Sequence, residues 1–76
     1  MTKEEKRLVE KAKKTSNALV RIFALPRCDF CGEVARVDGK TRLGSWAYMC
    51  PAHYRAFGVG LGLGKGQVLV TQEEEI

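Results

Sequence analysis

Residues 27–58 read RCDFCGEVARVDGKTRLGSWAYMCPAHYRAFG, and two pairs of soft ligands inside this stretch decide the fold. Cys28 and Cys31 are separated by two residues, as are Cys50 and His53. One tight turn, or the first turn of a helix, delivers two ligands at that spacing to a single ion. Gly32, just past Cys31, lets backbone amides turn back towards the sulfurs of a knuckle. Pro51, just past Cys50, suits the first position of a helix. The 18 residues between the pairs fall within the ~15–20 of a paired zinc motif. One zinc ion held by Cys28, Cys31, Cys50 and His53 is therefore the expected cofactor. Buried core cysteines beside an incidental histidine are the alternative. Four protein ligands close the coordination shell, whereas a catalytic zinc keeps a position for water, so the expected role is structural.

Chain length favours the metal. Seventy-six residues make one domain at most and bury too little apolar surface for a comfortable core without a staple. Three cysteines cannot all pair with one another, and the single histidine sits at ligand spacing from the third. The charged opening MTKEEKRL is unlike a signal peptide, and no run approaches the ~20 apolar residues of a membrane span. The expectation is a reducing, cytoplasmic setting with no membrane partner and no small-molecule substrate.

The formal charge of +4 becomes about +3 once three thiolates and a divalent ion are counted. Residues 1–26 carry seven Lys/Arg against three Glu, residues 27–66 carry six against three Asp/Glu, and residues 67–76 carry only Glu73, Glu74 and Glu75. An acidic tail thus follows a mildly basic body. The tail is read as solvated, with shielding of a basic face as the alternative.

Outside the motif, Thr2 and Glu5 have the spacing of a capping box, and Leu8, Val9 and Ala12 share one side of a short amphipathic helix ending near Thr15–Asn17. Residues 18–25 (ALVRIFAL) are a buried strand or a second helical turn, with the strand favoured. Val34–Val37 and Thr41–Met49 are predicted to pair as a hairpin about Asp38-Gly39-Lys40, with Gly44-Ser45 bending the return strand. A helix of about two turns follows Cys50 and stops at Gly58, and Gln67–Thr71 offers a last strand. The predicted fold class is α+β, divided into an N-terminal helix and connector (1–26), a zinc-binding unit with its glycine-rich segment (27–66), and a final strand with acidic tail (67–76).

The order of knuckle, hairpin and helix-borne ligand pair over residues 27–58 resembles a small treble-clef zinc finger, here with an added N-terminal helix. CDFCG, then DGKTRLGSWAYMC and GVGLGLGKGQ, is similar to a group of small, mostly uncharacterised zinc-binding proteins of bacteriophages and bacteria. His53 stands where that group often has cysteine, and imidazole serves equally well as the fourth ligand. The resemblance implies a fold, a metal and a bacterial cell or a phage-infected one as the setting. It brings no activity.

Treble clefs often occur in nucleic-acid-binding proteins and in nucleases, so DNA or RNA is the first partner to weigh. Arg36, Lys40, Arg42, Arg55 and Lys65 are candidate phosphate contacts. Trp46 and Tyr48 alternate with Ala47 and face one way; they stack on bases if exposed, or form a small core under the helix. Residues 58–66 do not match G-x-x-x-x-G-K-[ST], which excludes a nucleotide-hydrolase loop. They are a backbone phosphate cradle with Lys65, or a chain that must pass close to its neighbours, anchored by Leu61 and Leu63. Catalysis is not expected, because the only histidine and every cysteine are committed to metal. The alternative function is a protein-interaction adaptor or homodimer, docking through Leu8, Val9, Ala12, Leu19, Ile22 and Phe23 unless these pack on the chain's own sheet.

Overall fold

Thr2 starts the first helix in both the directions its pairing with Glu5 allows. In the computed structural model, which describes residues 1–76, the Thr2 backbone N–H donates to Glu5 Oε1 at 2.8 Å and the Glu5 N–H donates to Thr2 Oγ1 at 3.2 Å. Helix α1 (Lys3–Lys13) follows, with Leu8, Val9 and Ala12 buried. Asn17, at φ 59°, reverses the chain into strand β1 (Leu19–Ile22), so the strand reading holds for the first half of residues 18–25, as a half-buried rather than a buried strand. Then come β2 (Val37–Lys40), β3 (Trp46–Met49), α2 (Pro51–Phe57) and β4 (Gly66–Thr71).

The four strands form one sheet in the order β1-β4-β2-β3. β4 runs parallel to β1 and antiparallel to β2, and β2 is antiparallel to β3. The last strand in sequence therefore sits between the first strand and the hairpin. Leu19, Val68, Val37 and Met49 stand in register across all four strands. With Val70, Ala18 and Leu61 they pack beneath Leu8, Val9 and Ala12 of α1, while Tyr54 and Phe57 of α2 close the hairpin end. Both helices thus cover one face of the sheet. The α1 residues set out as a docking surface are buried by the chain itself; Phe23, at 92 % exposure, is the apolar residue of that set left in solvent.

The hairpin forms, but not about Asp38-Gly39-Lys40. Those residues lie inside β2, and the turn is Thr41–Ser45. Thr41 holds it: its N–H and Oγ1 both donate to the Ser45 carbonyl at 2.9 Å, and Oγ1 accepts from the Leu43 N–H at 3.2 Å. Gly44-Ser45 accordingly belongs to the turn rather than bending the return strand. Gly39 is required for proximity instead. A Cβ there would lie 2.8 Å from the Lys65 carbonyl oxygen and 2.9 Å from the Gly66 Cα, where β4 begins its antiparallel pairing with β2. Close passage is thus the reading that holds for the end of the glycine-rich segment. Of its two predicted anchors only Leu61 is buried, whereas Leu63 is 86 % exposed.

Arg36 and Glu74 depart furthest from expectation. Arg36 is 5 % exposed and fastens three parts of the chain. Its Nε donates to Glu5 Oε2 on α1 at 2.7 Å, Nη1 donates to the Leu69 carbonyl at 3.1 Å and to Glu74 Oε1 at 2.8 Å, and Nη2 donates to Glu74 Oε2 at 2.5 Å. Glu74 Oε1 also accepts from the Thr71 N–H at 2.8 Å. Glu74 is therefore not part of a solvated tail. The Arg36 guanidinium, outweighing burial, holds the Glu74 carboxyl at about 2. For Glu5, burial opposes the charged form, but the Thr2 N–H and Arg36 outweigh it and the pKa is lowered.

Two outcomes are expected. Gly39→Ala should lower stability by roughly 1–3 kcal/mol through overpacking, read from denaturant unfolding of the metal-loaded protein. A depressed carboxyl pKa contributes stability that is complete above its ordinary value of 4.5 and is lost as pH falls through about 2. The stability gap between the protein and Glu74→Gln should therefore be full at neutral pH and narrow on acidification through that window.

Candidate metal centre

The first ligand pair is shaped by the turn that carries it. The Gly32 N–H donates to the Cys28 carbonyl at 2.9 Å and the Cys28 N–H donates to the Glu33 carbonyl at 2.6 Å, closing the knuckle. Gly32 adopts φ +78°, the left-handed region that favours glycine. The second pair rides on the start of a helix. Cys50 ends the extended run of β3 as the N-cap of α2, Pro51 opens the helix, and His53 lies in its first turn. Cys50 Sγ and His53 Nδ1 are 3.3 Å apart.

The pairs converge. Cys31 Sγ lies 3.8 Å from Cys50 Sγ, Cys28 Sγ lies 3.7 Å from His53 Nδ1, and all four ligand atoms fall within 4.8 Å of one another. The three cysteines are free thiols. A tetrahedron built on ~2.3 Å metal–sulfur and ~2.0 Å metal–nitrogen bonds has S···S edges of about 3.8 Å and S···N edges of about 3.5 Å. The three separations of 3.3–3.8 Å match these edges, and with all four donors within 4.8 Å this Cys3His cluster could hold a structural metal.

Electrostatics agree with the geometry. Burial opposes ionisation of Cys28, but N–H groups of Cys50, Phe30 and Cys31 directed at its sulfur outweigh it and lower the pKa. Cys31 shows the cost of crowding: the Glu33 N–H favours its thiolate, yet burial and the neighbouring Cys28 and Cys50 sulfurs prevail and raise the pKa. A bound cation removes that conflict, since it is neutralised by the thiolates it draws together.

Aromatic rings and one carboxylate position the ligands. His53 and Phe57, one helical turn apart, stack with Phe30 of the knuckle at centroid distances of 5.0–6.0 Å. Asp29 docks the knuckle onto the outer edge of β3: its N–H donates to the Tyr48 carbonyl at 2.9 Å, and its Oδ2 accepts from the Tyr48 N–H at 2.8 Å. The i,i+4 spacing of His53 and Phe57 is visible in sequence. No sequence signal announces the Asp29–Tyr48 pairing, which spans 19 positions and joins side chain to backbone.

The candidate nucleic-acid contacts divide. Arg36 is buried in its carboxylate clamp, and the Arg55 guanidinium is paired with Glu4 on α1. Lys40, Arg42 and Lys65 are exposed. Lys40 lies opposite Trp46 across β2 and β3, and its N–H donates to the Lys65 carbonyl at 2.8 Å, so these three meet at one end of the sheet. Trp46 and Tyr48 are 53 % and 42 % exposed. The small core under the helix, expected as their alternative role, is made instead by Ala47, Met49, Tyr54 and Phe57.

Comparison of the chain with known protein families, curated proteins and solved structures finds no match. Asp29→Ala is expected to lower metal affinity about tenfold, as loss of a group that orients ligands does, while the one-to-one stoichiometry is kept; competition with a chromophoric chelator measures it.

Proposed function

We propose that this chain is a non-catalytic accessory protein that binds nucleic acid, built on one structural zinc ion in the treble-clef order of knuckle, hairpin and helix. The observation that carries the nucleic-acid reading is the meeting of the Lys40, Lys65 and Trp46 segments at one end of the sheet, with Lys40 and the exposed Trp46 on the face that neither helix covers. Arg42, in the adjoining turn, adds a third cation. Cations beside exposed aromatic rings suit a ligand made of phosphates and flat bases.

Zinc is favoured by the donor set, since three thiolates and an imidazole are its characteristic structural ligands. The ion supplies a crosslink between the knuckle and α2. The absence of catalysis is supported by the same residues: they use the only histidine and all three cysteines, leaving no thiol or imidazole as nucleophile or general base. The adaptor reading loses most of its surface, because Leu8, Val9 and Ala12 are covered by the chain's own sheet. No helix is long and apolar enough to cross a membrane.

The test joins metal to binding. One zinc per chain is expected, with loss of cooperative folding in excess chelator. Three phosphate contacts should give a log–log salt slope between about −2 for a single strand and about −3 for a duplex. A folded metal-free chain contradicts the zinc assignment; affinity for nucleic acid that is absent at about 50 mM salt, or insensitive to salt, contradicts the nucleic-acid assignment.

A further inference from the structure

The uncovered face of the sheet holds a groove of about 280 Å³, close to the ~300 Å³ at which ligand-sized clefts begin. Val20, Ile22 and Leu69 make its apolar floor, Tyr48 stands at one side, and Asp38 and Gln67 supply its polar groups. Tyr48, Asp38 and Gln67 form one row in register across β3, β2 and β4. No side-chain hydrogen bond within the protein engages the Asp38 carboxylate or the Gln67 amide. The neighbouring row on the same face is Trp46 and Lys40, with Lys65 bonded to Lys40 through its carbonyl.

A row with one cation and an indole therefore runs beside a row that offers an aromatic ring, an acceptor and an amide. The ligand that matches both is flat, carries amino groups on its edge, and is attached to phosphate. A base in a duplex has its pairing edge occupied and both faces stacked, and so cannot enter. Trp46 and Tyr48, two residues apart on one strand, stand about 7 Å from each other, so each ring takes a base of its own.

Resting on the nucleic-acid reading above, we propose that this groove is a base-recognition subsite for single-stranded nucleic acid, selective for bases that present an amino group. One base stacks on Tyr48 with its pairing edge towards Asp38 and Gln67, its neighbour stacks on Trp46, and the connecting phosphates lie along Lys40 and Lys65. Asp38 accepts a hydrogen bond from an exocyclic amine such as cytosine N4, and the Gln67 amide donates to the ring nitrogen N3 beside it. Thymine and uracil place a carbonyl oxygen where that amine belongs and set it against the carboxylate.

Trp46 is the only tryptophan, so its fluorescence reports on this face directly. The zinc-loaded chain is titrated with cytosine and thymine oligodeoxynucleotides of about eight nucleotides, with a mixed-sequence duplex of the same length, and with cytidine monophosphate. Cytosine strands should quench Trp46 and bind about tenfold more tightly than thymine strands, and more tightly than the duplex or the monophosphate. Asp38→Ala should bring cytosine and thymine affinities within about twofold without weakening thymine binding, a pattern that misfolding does not produce. Thymine, duplex or monophosphate binding at least as tight as cytosine-strand binding overturns the base-recognition subsite and leaves the broader nucleic-acid reading standing. Absence of binding to every nucleic acid at low salt overturns both.

Discussion

Four donor atoms that arrive on two separate pieces of chain, Cys28 with Cys31 and Cys50 with His53, must meet within 4.8 Å. The rest of the structure is arranged around that constraint. It fixes the knuckle against the first turn of α2, and the knuckle in turn docks on the β3 edge through Asp29 and Tyr48. Helix α2 then presents Tyr54 and Phe57 to the core, which pack against the same cluster that α1 covers. Without a cation the Glu33 N–H is outweighed by burial and the neighbouring Cys28 and Cys50 sulfurs, which oppose ionisation of Cys31 and raise its pKa. With one, the same crowding favours the fold.

A second fastening operates at the other end of the molecule. Arg36 links α1, the sheet and the C-terminal residues through Glu5, Leu69 and Glu74. Such a group is costly to bury alone, and two carboxylates with one carbonyl satisfy most of its donors. Its burial also changes what the +4 formal charge means. Arg36 and Arg55 are both paired with glutamates, so the basic balance is spread unevenly, and Lys40, Arg42 and Lys65 remain exposed at one end of the sheet.

Several local features were legible in the sequence because one short segment determines them, although the equally local Thr41–Ser45 turn was not. The capping box at Thr2 and Glu5, the helix start at Cys50-Pro51, and both ligand pairs depend on residues within a few positions of each other, and all are in place. Features that depend on distant chain were not. Asp38-Gly39 has the composition of a tight turn, but the close antiparallel approach of β4, with Gly66 opposite Gly39, assigns that glycine to a strand pairing. Trp46 and Tyr48 have the composition of a small core, yet Met49 and Ala47, on the opposite pleat, meet the helices first. Glu74 looks like part of a charged tail until Arg36, 38 positions earlier, is brought beside it. In each case local chemistry was read correctly and a tertiary neighbour redirected it.

X-ray absorption at the zinc edge of the zinc-loaded protein tests the central claim most directly, because it reads the coordination shell itself. Three sulfur ligands at about 2.3 Å and one nitrogen at about 2.0 Å, with no bound water, are expected for a closed site of Cys28, Cys31, Cys50 and His53. A shell with fewer than three sulfurs, or one completed by solvent oxygen, would contradict it.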